Sequence, residues 1–198
     1  MSFRKELKYS LKTTDYDIIK ARLLQNGARI LFPERRVISQ YFDTLNLRMF
    51  QESDEGILPR RKIRIRQYSD SVNFFKEVKI SSHEGRFKVS SELNQTSTIK
   101  PSVYNNLFDL SYGAVFHSAT VEYSRSYLKY GSLRLTLDRN IKYSHPTSSK
   151  IFCSDNQSVL EVKTASNTSD DYIESLTNMI PERFSKYCRA IEFLNLSK

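Results

Sequence analysis

The chain of 198 residues is 39% hydrophobic and 12% aromatic, which is enough apolar material for one folded domain over residues 1–198. Its 31 Lys and Arg outnumber its 22 Asp and Glu, and the formal net charge of +9 favours an anionic partner. The sequence has no apolar run of roughly eighteen residues and no apolar signal segment, so we expect a cytoplasmic protein that does not insert into membranes. Cys153 and Cys188 are too few for a disulfide framework or a cysteine metal site.

Alternation of apolar and polar residues predicts eight β-strands, with helices where the apolar spacing becomes helical. The strands are expected near residues 3–11, 36–43, 60–68, 72–80, 86–93, 119–129, 131–139 and 158–164. We expect helices over about 14–27, from Ser169 to Pro181, and a last one that ends near Leu194. The intervening segments predict a loop or short helical turn over 44–59, a short covering helix within 94–118 and a loop over 145–156.

The strand over 60–68 shows how charge is arranged. Lys62, Arg64 and Arg66 alternate with Ile63 and Ile65, so three cations share one face of the strand. Five other strands repeat this segregation, which a sandwich with solvated outer faces could also explain. Because like charges on neighbouring strands repel, we favour a mainly β fold with flanking helices (α+β), built as a closed eight-stranded antiparallel β-barrel with a cationic interior.

Several other classes of site have no support in the sequence. The chain lacks a GxxxxGK[ST] loop and an evident Ser-His-Asp or Cys-His set, so a P-loop and covalent catalysis are not expected. It also lacks the contiguous basic tail or basic helix that is typical of nucleic-acid binders. The cations are instead distributed over strands.

Eight short motifs occur in order along nearly the whole chain. They are Arg4-x-Glu6-x-Lys8-Tyr9, Ser39-x-Tyr41-Phe42-Asp43-Thr44, Arg60-x-Lys62-x-Arg64-x-Arg66-x-Tyr68, Glu77-x-Lys79, Tyr123-x-Arg125, Leu133-Arg134-x-Thr136-x-Asp138-Arg139, Leu160-Glu161-Val162-Lys163 and Phe184-Ser185-Lys186-Tyr187. Together they resemble the VTC domain, the catalytic domain of the vacuolar transporter chaperone polyphosphate polymerase and its bacterial relatives. This family lies in the triphosphate tunnel metalloenzyme superfamily.

The resemblance implies a tunnel whose basic residues hold a triphosphate or polyphosphate and whose glutamate holds Mn²⁺ or Mg²⁺. The residues expected to bind the substrate are Lys8, Lys62, Arg64, Arg66, Lys79, Lys88, Arg125, Arg134, Lys163 and Lys186. Those expected to act in catalysis are Lys8, Arg64, Arg66, Lys79 and Arg134. Glu161 would bind the metal, and Glu6 and Glu77 would either assist it or hold the neighbouring lysines in place.

Three functions remain open at this point. The first is an ATP-driven, polyphosphate polymerase-like transferase, and the second is a tripolyphosphatase or nucleoside triphosphatase. The third is a binding module that holds polyphosphate or an RNA 5′-triphosphate end without chemistry. We do not favour a fourth function, a single-stranded nucleic-acid binder with Tyr41, Tyr68 and Tyr123 stacking on bases, because tyrosines in strands are more often packing residues. Phosphoryl transfer needs charge neutralisation, alignment and a metal more than it needs covalent participation by the protein, so the same residues suit the two enzymatic functions.

Overall fold

In a computed structural model of the protein, the described residues are 4–93, 105–146 and 153–195. They form strands β1 (Arg4–Lys12), β2 (Arg29–Asp43), β3 (Arg60–Tyr68), β4 (Phe74–Ser82), β5 (Gly85–Leu93), β6 (Asn106–Asp109), β7 (Gly113–Tyr130), β8 (Leu133–Ser144), β9 (Cys153–Ser154) and β10 (Gln157–Ala165). The α-helices are α1 (Tyr16–Gln25), α2 (Arg48–Glu55), α3 (Asp170–Thr177) and α4 (Lys186–Asn195). The mainly β architecture with a few helices is as predicted. None of these helices has the length and hydropathy needed to cross a bilayer.

The strands form an antiparallel sheet with the order β1-β10-β8-β7-β2-β3-β4-β5, with β6 beside β7 and β9 beside β8. This path has two ends, and no pairing joins β1 to β5 in the part of the chain that the structure describes. The prediction of a closed barrel is therefore not supported. The alternation of apolar and polar residues along a strand determines which face each side chain occupies. It does not show whether the outer edge of a terminal strand pairs with another strand, so it could not predict closure of the sheet. At the edge of β1, the backbone N–H of Glu182 donates to the carbonyl of Lys8 at 2.7 Å.

Three local predictions were also wrong. Leu107 and Phe108, which we placed in a short covering helix within 94–118, lie in strand β6; residues 94–104 of that segment are outside the described residues. The predicted loop over 145–156 contains strand β9. Strand β2 begins seven residues earlier than expected, at Arg29 instead of residue 36, and includes Pro33, a residue that normally argues against a strand interior. The pairing of β2 with β3 begins only at Val37, so Pro33 lies outside that ladder.

The chain divides into two compact units. The first contains Met1–Arg36, Tyr123–Ile141 and Asp155–Phe184, and the second contains Val37–Glu122, Lys142–Ser154 and Ser185–Lys198. Strands β2, β7 and β8 contribute residues to both units. We expected a single domain over residues 1–198, and this stays a prediction.

The core of the first unit lies on one face of β1, β10 and β8. Leu135 and Leu137 of β8 and Leu160 and Val162 of β10 are fully buried there. Helices α1 and α3 cover this face, for example with Leu23 and Ile173. Since successive residues of a strand point to opposite faces, the residues between these leucines and valines lie on the other face.

The core of the second unit is built in the same way. Ile63 and Ile65 of β3 are buried with Phe42 of β2 and with Met49 of α2. Full burial of each such side chain contributes roughly 1.5–3 kcal/mol. The residues of β3 that alternate with these isoleucines are the cations Lys62, Arg64 and Arg66. Because the apolar face of β3 packs against helix α2, the charged side chains lie together on the opposite face.

Candidate functional site

In the second unit, the charged face of β3, β4 and β5 is strongly cationic. Residues that pair directly across antiparallel strands share a face, and four rows of such pairs cross the three strands. Their cations are Arg60, Lys62, Arg64, Arg66, Lys79, Arg86 and Lys88, and their carboxylates are Glu77 and Glu92. One row consists entirely of lysines, with Lys62 opposite Lys79 and Lys79 opposite Lys88. Directly opposed like charges are destabilising, so this face is suited to an anion.

Glu77 lies within this face and holds three of its cations. The Arg64 Nη2 atom lies 2.6 Å from Glu77 Oε2, Arg66 Nη1 lies 3.5 Å from the same oxygen, and Lys88 donates to Oε1. Burial raises the pKa of Glu77, but Arg64, Arg66 and Lys88 outweigh this effect and bring the pKa to about 2. Both carboxylate oxygens therefore serve to orient basic side chains.

Lys62 meets the beginning of helix α4. Its ammonium group donates to Ser185 Oγ at 2.8 Å and lies 3.9 Å from Cys188 Sγ. Burial lowers the pKa of Lys62. The Ser185 hydroxyl also accepts the backbone N–H of Cys188 at 3.2 Å, which makes Ser185 the N-cap of α4. Lys186, a predicted phosphate ligand, is the first residue of this helix.

The motif Tyr41-Phe42-Asp43-Thr44 has a structural explanation. Asp43 is fully buried, and its carboxylate accepts the backbone N–H groups of Met49 and Phe50 at 2.9 Å each, so it fixes the first turn of α2. Tyr187 of α4 donates its hydroxyl to Asp43 and stacks on Tyr41, with ring centroids 5.0 Å apart. The sequence alone gave no indication of the contacts with Tyr187, because Tyr187 is far from Tyr41 and Asp43 along the chain.

In the first unit, Glu161 lies at the centre of a second charged cluster. The register places Lys8 of β1 and Thr136 of β8 on either side of Glu161, on the same face. Lys163 Nζ lies 2.9 Å from Glu161 Oε1. Burial raises the pKa of Glu161, but Lys163 and Lys8 more than offset this effect and hold the pKa well below its usual range. The carboxylate is ionised at neutral pH.

The groups around Glu161 fit a hard divalent cation. A side-chain hydrogen bond joins Glu161 to Glu6, and two such carboxylates repel each other unless a proton or a cation lies between them. The Thr136 hydroxyl oxygen is buried and has no hydrogen-bond partner among the described residues. In the part of the chain that the structure describes, no three or more His, Cys, Asp or Glu side chains form a group that could hold a metal ion by themselves. One or two carboxylates, completed by water and phosphate oxygens, are however the usual ligands of Mg²⁺.

Two other predicted phosphate ligands of the first unit differ in their surroundings. Arg125 is 8% exposed and donates two hydrogen bonds to Asp138, with distances of 2.6 and 2.7 Å. This ion pair fixes the guanidinium group, and Asp138 is a partner that the sequence did not suggest. Arg134 lies opposite Lys163 at an exposed position of β8.

The structure thus gathers the predicted site residues into two sets. Those of the first unit are Glu6, Lys8, Arg125, Arg134, Glu161 and Lys163, and those of the second unit are Lys62, Arg64, Arg66, Glu77, Lys79, Lys88 and Lys186. Our expectation that Lys8, Arg64, Arg66, Lys79, Arg134 and Glu161 line one cavity involves both units and stays a prediction.

Within each unit, helices cover an apolar face of antiparallel strands, and cations cluster on the opposite face. The chain belongs to the VTC domain family, whose sequence model matches residues 3–107 and 118–195. This confirms the resemblance that the motifs indicated. No curated protein sequence matches the chain significantly.

Solved structures show the same fold at low sequence identity. A proposed adenylate cyclase from Vibrio parahaemolyticus has a TM-score of 0.60 at 16% identity, with 98% of each chain covered. A Pyrococcus horikoshii protein has a TM-score of 0.59 at 12% identity, covering 96% of this chain and 99% of its own. A proposed adenylyl cyclase from Hippeastrum, described as having a dominant triphosphatase activity, has a TM-score of 0.55 at 13% identity, with 97% of this chain and 96% of that chain covered.

Proposed function

We propose that this VTC domain protein catalyses metal-dependent phosphoryl transfer on a triphosphate or polyphosphate chain. The observation that carries the proposal is the face of β3, β4 and β5, where seven cations accompany two carboxylates. Such an excess of positive charge suits a ligand with several negative charges in a row, and a single phosphate group would neutralise only part of it. Membership of the VTC domain family supports the same substrate class.

The basic residues of the second unit have complementary roles in this proposal. The guanidinium groups of Arg64 and Arg66 match the spacing of phosphate oxygens, and Glu77 holds both of them in a defined direction. Lys62, Lys79 and Lys88 supply compact point charges along one row. Because these groups are positioned before the substrate arrives, they would stabilise developing charge with little reorganisation.

The first unit would supply the metal site and further cations. Glu161, with Glu6, would hold Mn²⁺ or Mg²⁺ through carboxylate oxygens, and the bound ion would neutralise phosphate oxygens of the substrate. Lys8 and Lys163 keep Glu161 ionised and ready to bind a cation. Arg134 is exposed on β8, so its guanidinium group is accessible to a substrate.

Two acceptors compete for the transferred phosphoryl group. In chain extension, the terminal phosphate of ATP would pass to a growing polyphosphate and release ADP; in hydrolysis, water would take the place of the polyphosphate. We favour chain extension on the family resemblance, and the triphosphatase activity described for the Hippeastrum protein is the reason to keep hydrolysis as the second candidate. The decisive measurement incubates pure protein with ATP and Mn²⁺ and separates polyphosphate from free phosphate.

The role of Glu161 can be tested with one variant and one control. Glu161→Gln keeps the size of the side chain but removes the charge, so we expect metal-dependent turnover to fall at least about 100-fold while metal-free tripolyphosphate binding is retained. Glu174→Gln, at an exposed position of α3, is the matched control and should behave as the wild type. Retained turnover of Glu161→Gln at ordinary metal concentrations would contradict the metal role. A wild-type protein that binds tripolyphosphate but shows no turnover would favour the non-catalytic binding module.

A further inference from the structure

Thr136 is a polar residue in a position that a hydrocarbon side chain could fill. Its neighbours in β8, Leu135 and Leu137, belong to the core under α1 and α3, so Thr136 points to the opposite, charged face. There it lies directly opposite Glu161, which on its other side lies opposite Lys8. The β-carbons of two such opposing residues are about 4.5–5.5 Å apart, close enough for their oxygens to bind a common ligand.

The Thr136 hydroxyl is buried, and no described residue forms a hydrogen bond with it. The residue is 4% exposed, and its Oγ1 atom has no hydrogen-bond partner within residues 4–93, 105–146 and 153–195. A buried hydroxyl that makes no hydrogen bond destabilises the folded state, because it has given up its bonds to water. Valine has nearly the same shape and would avoid this loss. The hydroxyl is therefore expected to be satisfied by something that binds at Glu161.

We infer that the Thr136 hydroxyl is an oxygen ligand of the divalent cation held by Glu161. Hydroxyl and carboxylate oxygens are the hard donors that Mg²⁺ and Mn²⁺ prefer, and Thr136 adds a neutral oxygen to the two carboxylates of Glu161 and Glu6. A neutral donor is suitable here, because another carboxylate would repel the phosphate groups of the substrate. The inference rests on the proposed function, since it assigns one more residue to that metal site.

A purely structural role for Thr136 predicts different behaviour. If the hydroxyl only fills space, Thr136→Val should leave metal affinity unchanged. If it binds the cation, Thr136→Val should weaken Mn²⁺ binding, while the melting temperature of the metal-free protein stays the same or rises. Thr136→Ser keeps the oxygen with a smaller side chain, so it separates the chemical role of the hydroxyl from the effect of changed packing.

The test measures Mn²⁺ binding directly, by the electron paramagnetic resonance signal of free Mn²⁺, for wild type, Thr136→Val and Thr136→Ser in the absence of nucleotide. We expect Thr136→Val to weaken Mn²⁺ affinity about 10-fold or more and Thr136→Ser to remain within about 3-fold of the wild type. Metal-free tripolyphosphate binding should be the same for all three proteins.

Two results would overturn the inference, and they differ in what else they affect. Equal Mn²⁺ affinity of wild type and Thr136→Val would remove Thr136 from the metal site and leave the proposed function intact. A wild-type protein that binds no Mn²⁺, whether tripolyphosphate is present or not, would remove the metal site and the proposed function together. A cooperative melting transition of each metal-free variant, at or above the wild-type temperature for Thr136→Val, verifies that the variants are folded.

Discussion

Glu77 holds three cations on the charged face of the second unit. The sequence left two roles open for it, as an assisting metal ligand or as a residue that holds neighbouring basic side chains in place. Both carboxylate oxygens are engaged by Arg64, Arg66 or Lys88. A metal ion at Glu77 would have to displace these cations and would then lie close to them. The contacts therefore favour the role in which Glu77 orients basic side chains, and the metal role of Glu161 stays a proposal.

The sequence predicted some of these residues much better than others. Alternation put Lys62, Arg64 and Arg66 on one face of β3, and the strand has the predicted bounds, 60–68. It could not reveal that Asp138 pairs with Arg125 or that Ser185 accepts from Lys62, because these contacts depend on the register of distant segments. Nor could it show that the Thr136 hydroxyl is buried without a hydrogen-bond partner among the described residues, since a threonine in a strand is ordinary.

His117 is a partly buried residue whose titration should be visible in the stability of the protein. Burial lowers the pKa of His117 from 6.5 to about 4, and the ring nitrogen Nε2 lies 2.9 Å from Thr120 Oγ1. Below pH 6.5 the unfolded chain binds a proton that the folded protein does not, so stability is fully present above that pH and decreases as the pH falls toward 4.

We expect the free energy of unfolding to fall by up to about 1.4 kcal/mol per pH unit between pH 6.5 and about 5, a range in which carboxylates remain largely ionised. Urea unfolding at several pH values measures it. His117→Gln, which keeps a hydrogen-bonding side chain but does not titrate, should flatten this slope. His83→Gln, in the exposed turn after β4, is the control. An unchanged slope in His117→Gln would contradict the assignment.

At the level of elements, the sequence was most successful where charge and apolar residues alternate over a whole strand. Strand β3 has the predicted bounds, β5 begins one residue earlier than predicted, and α3 begins one residue later and ends four residues earlier than predicted. Strand β6 was mistaken for a helix, because four residues do not show a period clearly and Phe108 is exposed. The first part of β2 was missed because Pro33 is atypical of a strand and the surrounding residues are mostly exposed.

The N-cap of helix α4, Ser185, accepts hydrogen bonds from two partners, and this permits a test with matched variants. Ser185→Ala removes the N-cap and the acceptor for Lys62, so we expect the free energy of unfolding to fall by about 1 kcal/mol. Ser185→Asp keeps the cap and adds a negative charge at the positive end of the helix and beside Lys62, so its stability should equal or exceed that of the wild type.

The two variants should also differ in ligand binding. The carboxylate of Ser185→Asp competes with phosphate for Lys62 and should weaken tripolyphosphate binding, whereas Ser185→Ala should bind as the wild type or better. Urea unfolding and titration calorimetry provide the two measurements. Equal destabilisation by both substitutions would show that Ser185 contributes by packing and not as a cap.

On the scale of the whole molecule, the net charge of +9 acts together with the local charge of the β3, β4 and β5 face. Alternation predicted that cations would gather on one side of the sheet, and the register confirms this within each unit. It could not predict how the sheet ends, because a closed barrel and an open path use the same alternation. The open path from β1 to β5 therefore had to come from the structure.

Binding of an anion chain should stabilise the molecule in a way that depends on salt and on the length of the anion. Tripolyphosphate offsets repulsion among the seven cations of the β3, β4 and β5 face, so it should raise the melting temperature at low ionic strength. At a concentration of about 100 times the Kd, the stabilisation would be about 2.7 kcal/mol. The shift should decrease as the Debye length falls from about 30 Å at 0.01 M salt to about 8 Å at 0.15 M. Thermal melts measure it, with orthophosphate matched for ionic strength as the comparison ligand.

The variant Glu77→Gln tests whether the anion binds the β3, β4 and β5 face, because the substitution removes one of the two carboxylates of that face. Arg64, Arg66 and Lys88 then lose their shared counter-ion, so the variant without ligand should melt at a lower temperature than the wild type, and most clearly at low salt. Tripolyphosphate can replace the lost charge, so the rise in melting temperature that it causes should be larger in Glu77→Gln than in the wild type. Glu174→Gln changes the net charge equally at an exposed site and should show the wild-type shift. Equal shifts with orthophosphate and tripolyphosphate, or equal shifts in the two glutamate variants, would mean that the ligand screens the whole molecule and does not bind this face.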